Sequence, residues 1–182
     1  WAPGSDALRQ GENKGSMESA APVKLVGAKI IIATGAEPKE LENCPTDGRR
    51  VLNSRDFMFK LGQLPESVLC VGGGTIGVEL GFFLHQFGSR VCIAEQGARL
   101  LNQPQISERA SNLLERKFKR IGIEVRKHTA VKASRHVSDG VEVTFSDGRC
   151  ETFHKVLVAV GRKPASAGLG LEETGIRVDA NG

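Results

Sequence analysis

The sequence predicts an α/β fold: a parallel sheet with helices, into which an antiparallel β-meander is inserted, layered β/β/α. Three observations carry this. From Ser67 to Val125, short apolar runs alternate with amphipathic stretches in the order β-α-β-α-β, a pattern that right-handed crossovers close into a parallel sheet. From Ala130 the pattern changes to three short strands separated by Asp-Gly turns, a hairpin signal. Lys155 to Val160 then returns as an apolar run ending at Gly161, as a buried parallel strand does.

Residues 1–21 are rich in Gly, Ser, Ala, Glu, Asn and Lys, and they read as a flexible lead-in. Order is expected from Pro22. Lys29 to Thr34 predicts a buried strand closed by Gly35, followed by a loop holding Pro38, Pro45 and Gly48. Ser54 is the expected N-cap of a short helix through Lys60. Ser67 to Val71 is the next strand. A helix follows over Thr75 to Phe87, with Ile76, Leu80, Phe83, Leu84 and Phe87 as its apolar face. Arg90 to Glu95 is a strand, and Ile106, Ala110, Leu113, Leu114, Phe118 and Ile121 mark a second amphipathic helix before a strand at Ile123 to Val125. In the meander, strands at Ala130 to Val137, Val141 to Phe145 and Cys150 to Phe153 are parted by Ser138-Asp139-Gly140 and Ser146-Asp147-Gly148. Val141, Val143 and Phe145 alternate with Glu142, Thr144 and Ser146, so one face is apolar.

With 182 residues the chain has room for one ordinary domain with a real core. Its 40% hydrophobic and 25% charged residues are those of a globular protein. The net charge of +4 is spread along the chain. The densest basic run, Arg116 to Arg120, alternates with apolar residues and reads as a solvated helix face, not a nucleic-acid patch. No apolar stretch approaches the ~20 residues of a membrane span. The start, Trp1-Ala-Pro-Gly, has neither an initiator Met nor a signal-peptide pattern, so a piece of a longer protein is expected. Cys44, Cys70, Cys92 and Cys150 form no C-x-x-C and have no His at metal-ligand spacing, so no metal site is expected. Cys70 and Cys92 fall in strand runs as buried thiols, a usage that fits a reducing cytoplasm.

Gly72-Gly73-Gly74-Thr75-Ile76-Gly77 fits G-x-G-x-x-G. The hexamer alone also fits a plain β–α turn, but here a strand precedes it, a helix opens on it, and the following strand ends in an acid. That context predicts a Rossmann-like dinucleotide site for NAD(H), placed in residues 67–164. Gly72 permits the tight turn, Gly74 leaves room for the pyrophosphate, and Gly77 lets the helix pack close to the strand. The free N–H groups near Thr75 and Ile76 face the phosphates. Glu95 stands about where an acid accepts the ribose hydroxyls, close to the usual ~20-residue spacing. It favours NAD over NADP, and its neighbour Gln96 is no cation; Arg99 is the nearest basic side chain able to reach a phosphate. A solvent-facing acid at a strand end is the plainer alternative for Glu95.

Gly72 to Glu79, Ala33-Thr34-Gly35 and Val158 to Pro164 together resemble the pyridine nucleotide-disulfide oxidoreductases, dihydrolipoamide dehydrogenases above all. Leu169 to Ile176 resembles the family's segment after the G-R-x-P turn. The likeness covers about residues 25–182. It implies that an FAD domain encloses the NAD domain in sequence. Residues 22–66 would then be a crossover segment next to that domain, and residues 165–182 a return toward it. Ala33, Thr34, Gly35 and Arg162 would touch FAD at the crossovers, with Gly161 beside the NAD. Glu79 matches a family glutamate near nicotinamide and flavin, and reads equally as an exposed helix-start acid. Thr75 stands where some relatives carry an aromatic gate, which puts that gating role in doubt. NADP-using relatives carry arginines where this chain has Gln96 and Asn102.

The resemblance implies an FAD- and NAD-dependent oxidoreductase in full length, as a homodimer, with this domain positioning the nicotinamide for hydride transfer to or from flavin. This stretch holds no C-x-x-x-x-C and no second dinucleotide motif, so alone it is not expected to be catalytically competent. Other readings are the NAD domain of a flavoprotein reductase without a redox disulfide (an NADH oxidase, ferredoxin reductase or enoate-reductase-like enzyme) and a non-catalytic NADH-binding module. A Rossmann-like methyltransferase is disfavoured by the regular glycine loop and the meander.

Overall fold

The structure is a computed structural model, and it describes residues 23–179. The lead-in expected over residues 1–21 lies outside the described residues. The described chain falls into two units, residues 23–33 and 34–179. The strand expected over Lys29 to Thr34 does not form: the backbone is irregular, and Ile30, Ile31 and Ile32 are exposed. A β-branched run becomes a strand only where neighbours take up its backbone groups and cover its faces. Among the described residues none pairs with this segment.

The second unit runs β1 (Ala36–Pro38), β2 (Val51–Asn53), α1 (Ser54–Lys60), β3 (Ser67–Val71), α2 (Thr75–Gln86), β4 (Arg90–Ala94), α3 (Glu108–Ile121), β5 (Glu124–Arg126), β6 (Val131–Val137), β7 (Gly140–Phe145), β8 (Cys150–Phe153), β9 (Lys155–Val158) and β10 (Arg162–Pro164). Strands β2-β9-β3-β4-β5 form a five-stranded parallel sheet, and β6-β7-β8 an antiparallel meander. The expected α/β architecture is therefore present.

Why three layers form is visible along each central strand. Leu69 and Val71 of β3, Cys92 and Ala94 of β4, and Val156 and Val158 of β9 pack with Val131, Val141, Val143, Phe145 and Phe153 of the meander. The alternate residues Val68, Cys70, Val91, Ile93 and Leu157 pack with Val78, Leu84 and Phe118 of the helices. Strands covered on both faces read as continuous apolar runs. Glu151 of β8 ties the meander to the sheet, meeting Arg90 of β4 at 2.7 Å and Arg126 of β5 at 2.6 Å. The same two guanidinium groups lie over Phe153 and Phe145, at 5.3 and 5.0 Å, so charge and ring contacts act at one seam.

Two helix faces differ from the sequence expectation. In α2 the buried residues are Gly77, Val78, Gly81 and Leu84, while Phe83 and Phe87 are exposed. The helix lies so near the sheet that a Cβ on Gly81 would stand 3.3 Å from Cys70 Sγ and 3.4 Å from Val91 Cγ1. Small residues, not the large apolar ones, take the face of closest approach. In α3 Phe118 is buried, but Ala110 and Leu113 are exposed, and Ser111 is buried instead with its hydroxyl donating to Leu100 O at 2.6 Å. The basic side chains of Arg116, Lys117, Lys119 and Arg120 are exposed. Helix α1 is capped by Asn53 and not by Ser54, since the Asn53 side chain accepts from Asp56 N at 2.9 Å. The strand expected through Val160 stops at Val158, where the chain turns out toward Gly161. No described helix is long and apolar enough to cross a membrane.

Candidate functional site

A cleft of about 750 Å³ opens beyond the C-terminal ends of β3, β4 and β9. In open parallel sheets this is where ligands bind. Its floor is the turn from β3 into α2. Gly72 takes φ +108°, and a Cβ there would lie 2.5 Å from Ala159 O. A Cβ on Gly77 would lie 2.0 Å from Gly72 O. Both positions are closed to any side chain by backbone, Gly72 by the neighbouring β9 segment and Gly77 by the loop it packs on. Gly74 differs: a Cβ there meets nothing within 4 Å. Its freedom from a side chain serves space above the loop, not packing below it. Gly74 is also the N-cap of α2 and offers no side-chain cap, so the first N–H groups of the helix are left to an outside acceptor.

Glu95 follows directly on β4 and turns back to this loop. Its Oε2 accepts from Gly73 N at 2.6 Å and its Oε1 from Gly97 N at 2.5 Å. The middle glycine, which the motif leaves unspecified, is thereby explained. A Cβ on Gly73 would meet Leu100 Cδ2 at 2.5 Å and Glu95 Oε2 at 3.0 Å. Leu101 N donates to Gly73 O at 2.8 Å, so the loop is held from both sides. At the cleft mouth Gln103 Nε2 donates to Thr75 Oγ1 at 3.3 Å.

The structure brings Gly72, Gly74, Thr75, Ile76, Glu95 and Gly161 to this one cleft. Gly77 lies beneath it as a spacer. Glu79 is exposed on α2 and is not among the residues that line the cleft. Gln96 and Asn102 line the cleft, but Arg99 does not: its guanidinium donates to Ile106 O at 3.1 Å and Leu101 O at 3.4 Å. Arg99 is therefore tied to its own loop and is not turned to a phosphate. Lining residues the sequence reading passed over are Asn43, Gln103, Thr129 and Lys132. They come from loops and the meander, far along the chain from the glycine motif.

The segments matched to the crossovers also meet. Ala36–Pro38 pairs antiparallel with Arg162–Pro164. Thr34 Oγ1 donates to Ala165 O at 2.8 Å, Ala165 N donates to Gly35 O at 2.9 Å, and the Arg162 guanidinium donates to Ala36 O. Ala33 is the last residue of the first unit. Three-residue strands of low apolarity gave no periodic signal from which this ladder was readable.

The sequence matches the pyridine nucleotide-disulphide oxidoreductase family over residues 8–182. The chain belongs to that family. Among its relatives are dihydrolipoyl dehydrogenases of Bacillus subtilis, 37% identical over 167 residues, and of Thermus scotoductus, 35% identical over 175 residues. These alignments take in 87% and 93% of this chain but 34% and 37% of the relatives, so the chain spans about a third of their length. Among solved structures, LpdA from Mycobacterium tuberculosis superposes with a TM-score of 0.73 at 30% identity, covering 81% of this chain and 32% of that one. The HOCl-induced flavoprotein disulfide reductase RclA from Escherichia coli gives 0.70 at 29% identity, covering 82% and 34%. Both of these structures share the fold over about four-fifths of this chain.

Proposed function

We propose that this chain is the NAD(H)-binding domain of a FAD-dependent oxidoreductase resembling dihydrolipoyl dehydrogenase. The observation that carries the reading is the contrast between Gly74, open above, and Gly72 and Gly77, packed below. A loop kept free of side chains at one point, against uncapped helix N–H groups, is a fit for a pyrophosphate. Thr75 and Ile76 present those N–H groups. Glu95, held by two backbone amides, keeps further lone pairs for the ribose hydroxyls. Val160 and Gly161 line the cleft after β9, where the nicotinamide end would lie.

When bound, the nicotinamide would supply or accept a hydride at a flavin held elsewhere in the full-length protein. The residues of this chain contribute position: they orient the dinucleotide and fix its register along the sheet. Thr34, Gly35 and Arg162, gathered at the β1–β10 ladder, and Ala33 beside them in sequence, are the residues assigned to the flavin side. Residues 67–164 form the dinucleotide domain in this reading, with 22–66 and 165–182 leading from and toward an FAD domain. The full-length protein is read as a homodimer on the family likeness, and as cytoplasmic on the four free thiols. Calorimetric titration of the chain with NADH tests the reading: saturable one-to-one binding is expected, and an absence of heat and of fluorescence change would overturn it.

A further inference from the structure

We propose that Lys132 is a cofactor-selecting residue of this cleft, lending its charge to the 2′-phosphate of NADPH and so moderating the preference that Glu95 imposes. The proposal rests on the dinucleotide reading above. Among the described residues that line the cleft, Glu95 and Lys132 alone carry charge. They approach it from different layers, Glu95 from the end of β4 and Lys132 from β6 of the meander.

The pairing of β6 with β7 is irregular at this point. Val131 faces Phe145 and Ala133 faces Thr144, so consecutive positions of β7 oppose residues two apart in β6, and Lys132 is the extra residue. A bulge of this kind re-aims a side chain and recurs beside binding sites. In an unbroken strand Lys132 would alternate with the buried Val131 and point away from the sheet. At the bulge it lines the cleft instead.

The start of β6 is anchored at the Glu95 end of that cleft. Thr129 N donates to Glu95 O at 2.9 Å. Lys132 follows three residues later, about 10 Å of extended chain, which a flexible four-carbon stem spans in part. Among the described residues it makes no ion pair and is exposed, so its ammonium is free to turn. Glu95, by contrast, is held on both oxygens by Gly73 and Gly97. A fixed anion selects for the ribose hydroxyls, and a mobile cation on the facing wall relieves the penalty for a phosphate in their place. Two further cations near this end are occupied, Arg99 by carbonyls and Lys127 by Glu115.

The test is calorimetric titration of the chain and of Lys132→Gln, Lys132→Glu and Lys132→Arg with NADH and with NADPH at low salt, with thermal melts to check folding. NADPH affinity should fall about 5-fold in Lys132→Gln and further in Lys132→Glu, while NADH changes by less than about 2-fold, the scale of one partly exposed charge pair. Lys132→Arg should keep the NADPH affinity. Added salt should weaken NADPH binding to the unmodified chain more than to Lys132→Gln. Equal losses for both dinucleotides would overturn the proposal by placing Lys132 on the shared pyrophosphate. No change for either would overturn it by leaving the side chain in solvent. If the unmodified chain bound neither dinucleotide, the reading of the cleft itself would fail first.

Discussion

Gly73 donates its N–H to Glu95 Oε2 at 2.6 Å, joining the loop after β3 to the acid after β4. Beside the ribose contact proposed for it, Glu95 therefore has a part in the loop itself. Its carboxylate also fixes the shape of the glycine loop, and a charge-assisted bond of this kind contributes about 1.5–3 kcal/mol. Glu95→Ala should lower the melting temperature and weaken NADH together. Glu95→Gln keeps one acceptor oxygen and should fall between. A variant that lost NADH affinity with no change in melting would separate the two roles and contradict the coupling.

The four motif glycines divide by what surrounds them. Gly74→Val should abolish measurable NADH binding while the melting temperature stays close to that of the parent, because its Cβ meets nothing within 4 Å. Gly77→Ala should do the reverse in kind. With a Cβ 2.0 Å from Gly72 O, α2 must move off the loop, at a cost of about 2–4 kcal/mol of stability. Melting curves read beside NADH titrations check the pair, and equal melting temperatures for the two variants would refute the division.

This division was partly legible in the sequence. The turn at Gly72 and the close packing at Gly77 followed from the motif, because both are local to one β–α unit, and the space above Gly74 is what the proposed pyrophosphate site needs. Strands β3 and β8 were bounded as predicted for a similar reason. The α2 face was read correctly at Leu84 but not at Phe83 and Phe87, because periodicity ranks residues by apolarity, whereas the sheet came closest at Gly81 and the loop at Gly77. Lys132 was not readable either. Its place in the cleft depends on a bulge between two strands and on where β6 lies against β4, neither of which leaves a mark in local sequence. Lys29 to Thr34 has the composition of a strand, but its pairing depends on partners that the described residues do not supply.

Thiol reactivity should be sharply uneven. Burial pushes Cys70 and Cys92 up to about 12, and raises Cys44 as well. Cys150 is exposed. At pH 8 a disulfide exchange reagent should titrate one thiol quickly in the folded chain and all four after denaturation. The fast thiol should vanish in Cys150→Ser. Two or more fast thiols would show that the sheet opens more readily than its packing implies.

Acid should unfold the chain through two carboxylates in particular. Burial pushes Asp47 up, but the amides of Arg49, Val51 and Arg50, with His136, hold it below its ordinary value. Burial also opposes Glu151, which Arg126 and Arg90 hold below its own. A carboxyl lowered in the folded state stabilises the fold above its unfolded pKa, and the gain is lost as pH falls through the folded one. Stability should thus be level above about pH 5 and decline below about pH 4. Glu151→Gln should make that decline shallower. Urea midpoints across pH 3–7 read this, and an unchanged slope would rule out Glu151 as a contributor.

A nicotinamide dinucleotide is proposed to lie across the turn from β3 into α2. The most direct measurement is the backbone amide spectrum of the chain during titration with NADH. The amides of Gly73, Thr75 and Ile76 should shift and saturate together, with those after β4 and β9 following. Saturable binding that left these amides unmoved and shifted others, such as those of Gly122 to Lys127 at the far edge of the sheet, would contradict it.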